Sequence, residues 1–277
     1  MNNKNAFLHE ISLDLLCVHS NLVPNHNPIM NTLVCISHVP DTTAKINFTA
    51  NGTSLDPSGV QFVINPYDEF GLTKALHLKE AQGGTITVIN VGPAITEPTL
   101  RKALAIGADK AVRIDADPMD AITVAKELKN HIQVNSYDLI ICGQESIDYN
   151  GQQVPAMIAA MLHLPFANAC VGLSIQNGTA TATSEIDGGH ATYEAALPMV
   201  IGGKKGLVEE KDLRIPNMRG IMSARTKPLE VVASSETGGL TSPVVFEKPP
   251  GKAEVKIVDS ENVDELVRLL HEEAKAI

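Results

Sequence analysis

The 277-residue chain has no GxxxxGK[ST] segment, no GxGxxG after an apolar run and no CxxC pair. The first two absences exclude a P-loop and a dinucleotide fingerprint, and the third removes zinc-ligand spacing. Its four cysteines, Cys17, Cys35, Cys142 and Cys170, are scattered and read as reduced thiols of a cytoplasmic protein. The histidines, His38 and His190 among them, fall in no metal-ligand spacing, so no metal site is assigned. No apolar run reaches the roughly 20 residues of a membrane helix. Basic residues are outnumbered 22 to 32, a net charge of −10, which argues against nucleic acid or an anionic membrane surface as the main partner. The first thirty residues contain acids and lack arginine, so they fit neither a signal nor a transit peptide. They are read as an N-terminal extension, expected to be disordered, that ends at a second methionine, Met30.

The stretch from Tyr137 to Leu164 carries the most information. Tyr137 to Cys142 is a short apolar, β-branched run of the kind buried on both faces of a sheet. Gly143-Gln144-Glu145-Ser146-Ile147-Asp148-Tyr149-Asn150-Gly151-Gln152 is polar, and Met157 to Leu164 resumes as an apolar helix. A strand, a polar turn and a helix in that order place free backbone N–H groups at the carboxyl end of a strand, where phosphates bind. The same pattern also serves simply to reverse the chain, and the turn alone does not separate the two.

The rest of the first two-thirds alternates strand and helix. Thr32 to Ile36 is a strand ending in the polar turn Ser37 to Asp41, and Ala44 to Ala50 with Val60 to Ile64 reads as a hairpin excursion. Asn65 is an N-cap with Pro66 at the first helical position and Asp68 and Glu69 in the first turn, opening a helix to about Glu80. Gly84 to Val91 is a strand, Glu97 to Ile106 a helix and Lys110 to Ile114 a strand; Asp117-Pro118 opens a helix through Lys129. This βαβαβα order predicts an α/β fold, a doubly wound parallel sheet, Rossmann-like, with helices on both faces. Cys170 to Ile175, Thr179 to Ile186 and Ala191 to Ala196 then alternate as a β-meander, joined at Asn177-Gly178 and Asp187-Gly188-Gly189. Leu197 to Ile201 is one more strand.

From Leu207 the rhythm changes. Arg214 to Lys227 interleaves arginine with methionine and isoleucine, which suits either a surface helix or an adaptable docking segment. Ser234 to Pro250 reads as a linker, and Asn262 to Ala276 as an amphipathic helix that packs on another subunit. The division is therefore 1–30 extension, 31–206 nucleotide-binding α/β domain, and 207–277 partner-recognition loop and extended C-terminal arm.

Several of these segments together resemble the β subunit of electron transfer flavoprotein. They are Val34 to Asp41, Asn65-Pro66-Tyr67-Asp68-Glu69, Thr99 to Asp109, Gly143 to Gln153, Glu185 to Gly189, and Arg214 to Lys227. The resemblance implies a heterodimer with a larger α subunit that holds most of the FAD, and a structural AMP in β. It implies no catalytic residue in this chain, which would be an electron carrier in fatty acid oxidation. Electrons would arrive from flavoprotein dehydrogenases, such as acyl-CoA dehydrogenases, and leave to a membrane quinone oxidoreductase. Carried over by residue, the nucleotide site comprises Cys35, Asn65, Pro66, Tyr67, Asp68, Val91, and the run Gly143, Gln144, Glu145, Ser146, Ile147, Asp148, Tyr149, Asn150, Gly151, Gln152, Gln153 and Val154. Partner binding falls to Arg214, Met218, Arg219, Ile221, Met222 and Arg225, with Met218 as apolar anchor, and Tyr67 is placed either near the flavin ring or as a half-buried helix-start tyrosine.

The chain departs from the family at the turn. The AMP-binding pattern has threonine where Val154 stands. The electron-bifurcating pattern, in which a second FAD replaces AMP, has threonine ahead of Ala-Gln-Val where this chain has Gly151-Gln152-Gln153-Val154. Ser146 and backbone amides are left to meet a phosphate, and AMP is the expected nucleotide. A soluble adenine-nucleotide sensor would account for residues 32 to 164 but not for the basic methionine segment or the arm.

Overall fold

The structure, a computed structural model, describes residues 30–236, 238–251 and 254–277; the expected disorder of the extension concerns residues that lie outside these, apart from Met30, which is buried. Two compact units emerge, one of the described residues up to Lys45 with Gly59–Ser242, the other of Ile46–Ser58 with Pro243–Ile277.

In the first unit, β1 (Asn31–Cys35) leads through the short β2 (His38–Pro40) and β3 (Phe62–Ile64) into α1 (Pro66–Gln82). Then come β4 (Thr85–Val91), α2 (Glu97–Ile106), β5 (Lys110–Asp115), α3 (Ala121–Val134), β6 (Leu139–Gly143) and α4 (Val154–Leu162). The meander is β7 (Phe166–Gln176), β8 (Thr179–Ile186) and β9 (Gly189–Ala196), followed by β10 (Met199–Gly203), α5 (Met218–Ala224) and β11 (Leu229–Ala233). The sheet runs β11-β5-β4-β1-β6-β10-β7-β8-β9, parallel from β11 to β7 and antiparallel through β8 and β9. The predicted doubly wound α/β architecture is the one observed.

Alternation along the strands assigns each side chain to a face. Val34, Leu139 and Ile141 pack with Leu72 and Leu76 of α1 and Leu100 and Leu104 of α2. Leu33, Cys35, Ile140 and Cys142 pack with Leu128 and Ile132 of α3 and Ile158 of α4. Both faces are covered, which is why the strands read as unbroken apolar runs. Each fully buried Leu or Ile contributes roughly 1.5–3 kcal/mol.

Several local readings are corrected. Ala44 to Ala50 is not a strand; the pairing runs between His38–Pro40 and Phe62–Ile64, so part of the expected polar turn is itself a strand. Asp41 ends it, its carboxylate accepting the Thr43 N–H at 2.8 Å in an Asx turn. β11 went unread because its apolar side is narrow: Val231 is 51% exposed, and the strand gains its place by pairing with β5. The segment after it is not free linker at its start. The buried Glu127 carboxylate accepts the N–H groups of Ser235 and Glu236, and Asp120 accepts those of Leu240 and Thr241. A carboxylate that collects backbone donors can fix a segment with no apolar pattern of its own.

α5 is seated on α2 by reciprocal capping. Arg101 of α2 donates to the carbonyls of Ala224 and Lys227 at 2.8 and 2.7 Å, while the Lys227 ammonium donates to those of Leu104 and Ala108 at 2.9 and 2.6 Å. Each cation satisfies the orphan carbonyls at the other helix's C-terminus. Gly220 sits so close to α2 that a Cβ there would lie 2.2 Å from the Ala105 carbonyl oxygen.

The second unit is held by Phe48 stacked on Phe246 at 5.4 Å and by the Phe246 N–H donating to the Gly52 carbonyl at 2.7 Å. Its α6 (Val263–Arg268) is capped by Asn262 and continues as a π-helical turn, Leu269–Glu273. Val263 and Val267 are exposed there.

Gly220→Ala must push α5 away from α2. It is expected to cost about 1–3 kcal/mol of stability and to speed hydrogen exchange across 217–227 while leaving the parallel sheet protected, as amide exchange read by mass spectrometry would show.

Candidate functional site

The chain travels from β1 outward through β4 to β5, then crosses back and lays β6 on the other side of β1. The carboxyl ends of β1 and β6 therefore flank the point where the winding reverses, the place where open α/β sheets bind ligands. Cys35, buried, closes β1, and Val91, also buried, closes β4. Gly143 closes β6, and Val154 opens α4, three residues earlier than the periodicity suggested.

Two side chains of the Asn65-Pro66-Tyr67-Asp68 segment tie this edge together. Asn65 occupies the N-cap position of α1, yet its side chain makes no capping bond. Fully buried, it donates from Nδ2 to the Glu145 carbonyl at 2.8 Å and accepts the Ile147 N–H at 3.2 Å, so it shapes the turn after β6. Asp68, 2% exposed, accepts the Ser37 N–H on Oδ2 at 2.7 Å and the Gly143 N–H on Oδ1 at 2.9 Å. One carboxylate thus bridges the residues that follow β1 and end β6. Only glycine fits at 143, since a Cβ there would stand 2.4 Å from Asp68 Oδ1. Burial pushes the Asp68 carboxyl up to about 7, against the pull of its N–H donors. Pro66 takes the first turn of α1, and Tyr67 is half-buried beside Gly143.

The turn itself offers mainly backbone. Gln144 is buried, Glu145, Ser146 and Ile147 are half-buried, and Asp148, Tyr149, Asn150, Gly151, Gln152 and Gln153 are exposed. The Ser146 carbonyl accepts the Tyr149 and Asn150 N–H groups at 3.3 and 2.8 Å. Asn150 and Gln152 both adopt left-handed backbone, φ 49° and 52°, unusual for residues with a Cβ and a form of strain that collects at binding loops. No lysine or arginine lies in residues 143–154, so an anion here would rely on N–H groups and the N-terminus of α4.

Four buried polar atoms near the carboxyl edge lack a partner among the described residues: His38 Nε2, Asn90 Oδ1, Gln144 Oε1 and Asn168 Oδ1. Asn90 is already committed on its other side, donating to the Ile36 carbonyl at 2.8 Å. His38 stacks on Phe62 at 4.4 Å and bonds Thr99 through Nδ1 at 2.8 Å, and burial lowers its pKa. Orphaned acceptors at a strand edge suit a ligand rich in hydroxyl and amine donors, as ribose and adenine are. His38, Asn90 and Asn168 were not singled out from the sequence; a polar residue at the end of an apolar run was the available signal. Beneath the edge, the Cys35 thiol, together with burial, holds the Cys142 thiol well above its usual range. Among the described residues no group of three or more His, Cys, Asp or Glu comes together to hold a metal, and no helix is long and apolar enough to cross a membrane.

The basic methionine segment is a short helix, α5, capped by Asn217 on the Gly220 N–H at 2.8 Å. Met218 is 77% exposed, with Ile221 and Met222 exposed beside it. Ile215, absent from the sequence-based set, precedes α5 and is 80% exposed. Arg219 and Arg225 are exposed, whereas Arg214 is paired with Glu80 at 2.9 Å.

Asp68→Asn replaces one acceptor with a donor facing an N–H, and should cost about 1–3 kcal/mol at low pH, where Asp68 contributes most. The folded-state pKa lies above the unfolded value of about 3.9, so the folded form binds the extra proton between those pH values. Stability from Asp68 is thus greatest below about pH 4 and is lost as pH rises towards about 7. Denaturant titrations of wild type and Asp68→Asn across this window should show that slope in wild type only.

The chain matches the electron transfer flavoprotein domain family over residues 53–237. It is 35% identical to the electron transfer flavoprotein subunit beta of Syntrophomonas wolfei over 237 residues, covering 84% of this chain and 92% of the relative. Against the subunit beta of Bacillus subtilis the identity is 33% over 262 residues, 90% of this chain and all of the relative. The mitochondrial subunit beta of Arabidopsis thaliana is 31% identical over 258 residues, with 90% and 100% covered. With a doubly wound α/β fold, a polar turn at its switch point and identity of this extent along nearly whole relatives, the chain belongs to the electron transfer flavoprotein family as a beta subunit.

Proposed function

We propose that this chain pairs with a larger α subunit that holds most of an FAD, and that it contributes a structural AMP in the β1/β6 crevice. The observation that carries the reading is the switch-point edge. It has a backbone-rich turn, the N-terminus of α4 and buried acceptors without partners, which together match a nucleoside monophosphate. Asn65 and Asp68 act there by shaping the turn and joining the strand ends; Cys35, Val91 and Gly143 to Val154 form the floor and wall. Ser146 offers a hydroxyl with no bond to a described residue, in place of the threonine that Val154 displaces. FAD, when bound in the heterodimer, supplies the electron chemistry.

The exposed surface of Ile215, Met218, Ile221 and Met222, rimmed by Arg219 and Arg225, docks flavoprotein dehydrogenases such as acyl-CoA dehydrogenases. Flexible apolar side chains with a basic surround favour fast encounter and quick release, as a carrier needs. The electrons pass onward to a membrane quinone oxidoreductase, and the chain is a cytoplasmic electron carrier subunit with no substrate chemistry of its own.

The test is chemical. Denature the chain alone and with its α subunit, and identify the released nucleotides by chromatography and absorbance. AMP with this chain and one FAD appearing only in the heterodimer is the expected result; two FAD per heterodimer would assign it to the bifurcating branch, and ATP on a stable partnerless chain would overturn the electron-transfer reading. Met218→Ala combined with Ile215→Ala should slow reduction by the dehydrogenase about tenfold or more, measured by stopped-flow flavin absorbance.

A further inference from the structure

The group that joins the two strand ends is also a buried acid without a counter-charge. Asp68 is 2% exposed, is held by the N–H groups of Ser37 and Gly143 beside the neutral side chains of Asn65 and Ser37, and forms no ion pair with any described residue. The elements packed around α1 bring it no cation. β1 contributes the thiol of Cys35, β6 that of Cys142, and β4 and β10 contribute no titratable side chain. In the first turn of α1 stand Tyr67 and Glu69, the latter paired with Lys102 at 3.1 Å, and Lys74, His77, Lys79 and Glu80 lie further along the helix. The neighbouring turns carry His38, Glu145, Asp148 and Tyr149, of which only His38 can become positive, and its burial opposes that.

One of the N–H groups holding Asp68 belongs to Gly143, which begins the turn proposed to seat the phosphate. A phosphate dianion placed on that turn puts negative charge near a carboxylate already stripped of water, in a region without basic side chains. The two negative charges repel, and the low local dielectric leaves that repulsion poorly screened. Protonating Asp68 relieves it and keeps both oxygens within reach of their N–H donors, so the bridge between β1 and β6 survives the change.

We propose that nucleotide binding in this crevice is coupled to uptake of one proton by Asp68, so that the ligand's charge is offset at the strand junction rather than by a basic side chain. The inference rests on the nucleotide reading above. The proton comes from solvent, and no covalent bond other than the carboxyl O–H forms.

Isothermal titration of the nucleotide-free full chain with AMP tests it, in two buffers of different ionisation enthalpy between about pH 7 and about pH 9, where the phosphate is already dianionic. The expected result is net proton uptake, with affinity weakening by up to about tenfold per pH unit as pH rises, and loss of both in Asp68→Asn. Equal uptake in wild type and Asp68→Asn, or none in wild type, overturns the coupling while leaving AMP binding standing. Absence of AMP binding overturns the nucleotide reading and the coupling with it. If Asp68→Asn does not fold, His38→Gln and Cys142→Ser decide: both should keep the wild-type proton count, and a loss in either assigns the proton elsewhere.

Discussion

The structure depends most on one carboxylate. Asp68 is set in the first turn of α1 by Pro66 and reaches across the carboxyl edge to hold the N–H groups that follow β1 and end β6. Those two strands are where the winding of the sheet reverses, so their splay decides whether a crevice exists at all. A side chain bridging the two ends holds them at a fixed separation without a backbone pair between them. Asn65 completes the arrangement from the same segment by holding the turn at Glu145 and Ile147. Four residues at a helix start therefore build the site through its backbone.

The polar edge is built without a basic side chain in its turn. Where a P-loop brings a lysine to the phosphate, this edge has helix and turn N–H groups, and its polar side chains are amides with spare oxygens. α5 is likewise held through backbone-directed contacts. α5 spends its buried side on Gly220, Ala224 and two reciprocal caps, and so presents its methionines and Ile221 to solvent without a core of its own. Apolar side chains held out by backbone-directed cations form a surface that is ordered in advance.

Much of this was legible before any coordinates. The alternation of apolar strands with helices, the hairpin signals of the meander, and the polar turn after Cys142 all appear in the sequence because periodicity and turn chemistry are local properties. The readings that failed share a different origin. β2 is hidden by the polar look of Ser37 to Asp41, and the expected strand at Val60 to Ile64 pairs with it rather than with Ala44 to Ala50, since a three-residue antiparallel pair is held by its partner and not by its own pattern. β11 has too little apolar side to announce itself, and its edge position comes from a free ladder on β5. The segment at Ser234 to Thr241 is composed like a linker and is fixed by two carboxylates on α3, more than a hundred residues earlier.

By itself the sequence determined the fold class and the alternation of strands and helices through the parallel sheet, because each rests on spacing within a few residues. Only the tertiary structure decided what those residues do. Asn65 reads as a helix cap and becomes a brace for a turn eighty residues away; Asp68 reads as a first-turn acid and becomes the junction of two strands. Burial and long-range hydrogen bonds are set by what the folded chain brings alongside, and a buried polar group must take whichever partner the fold supplies.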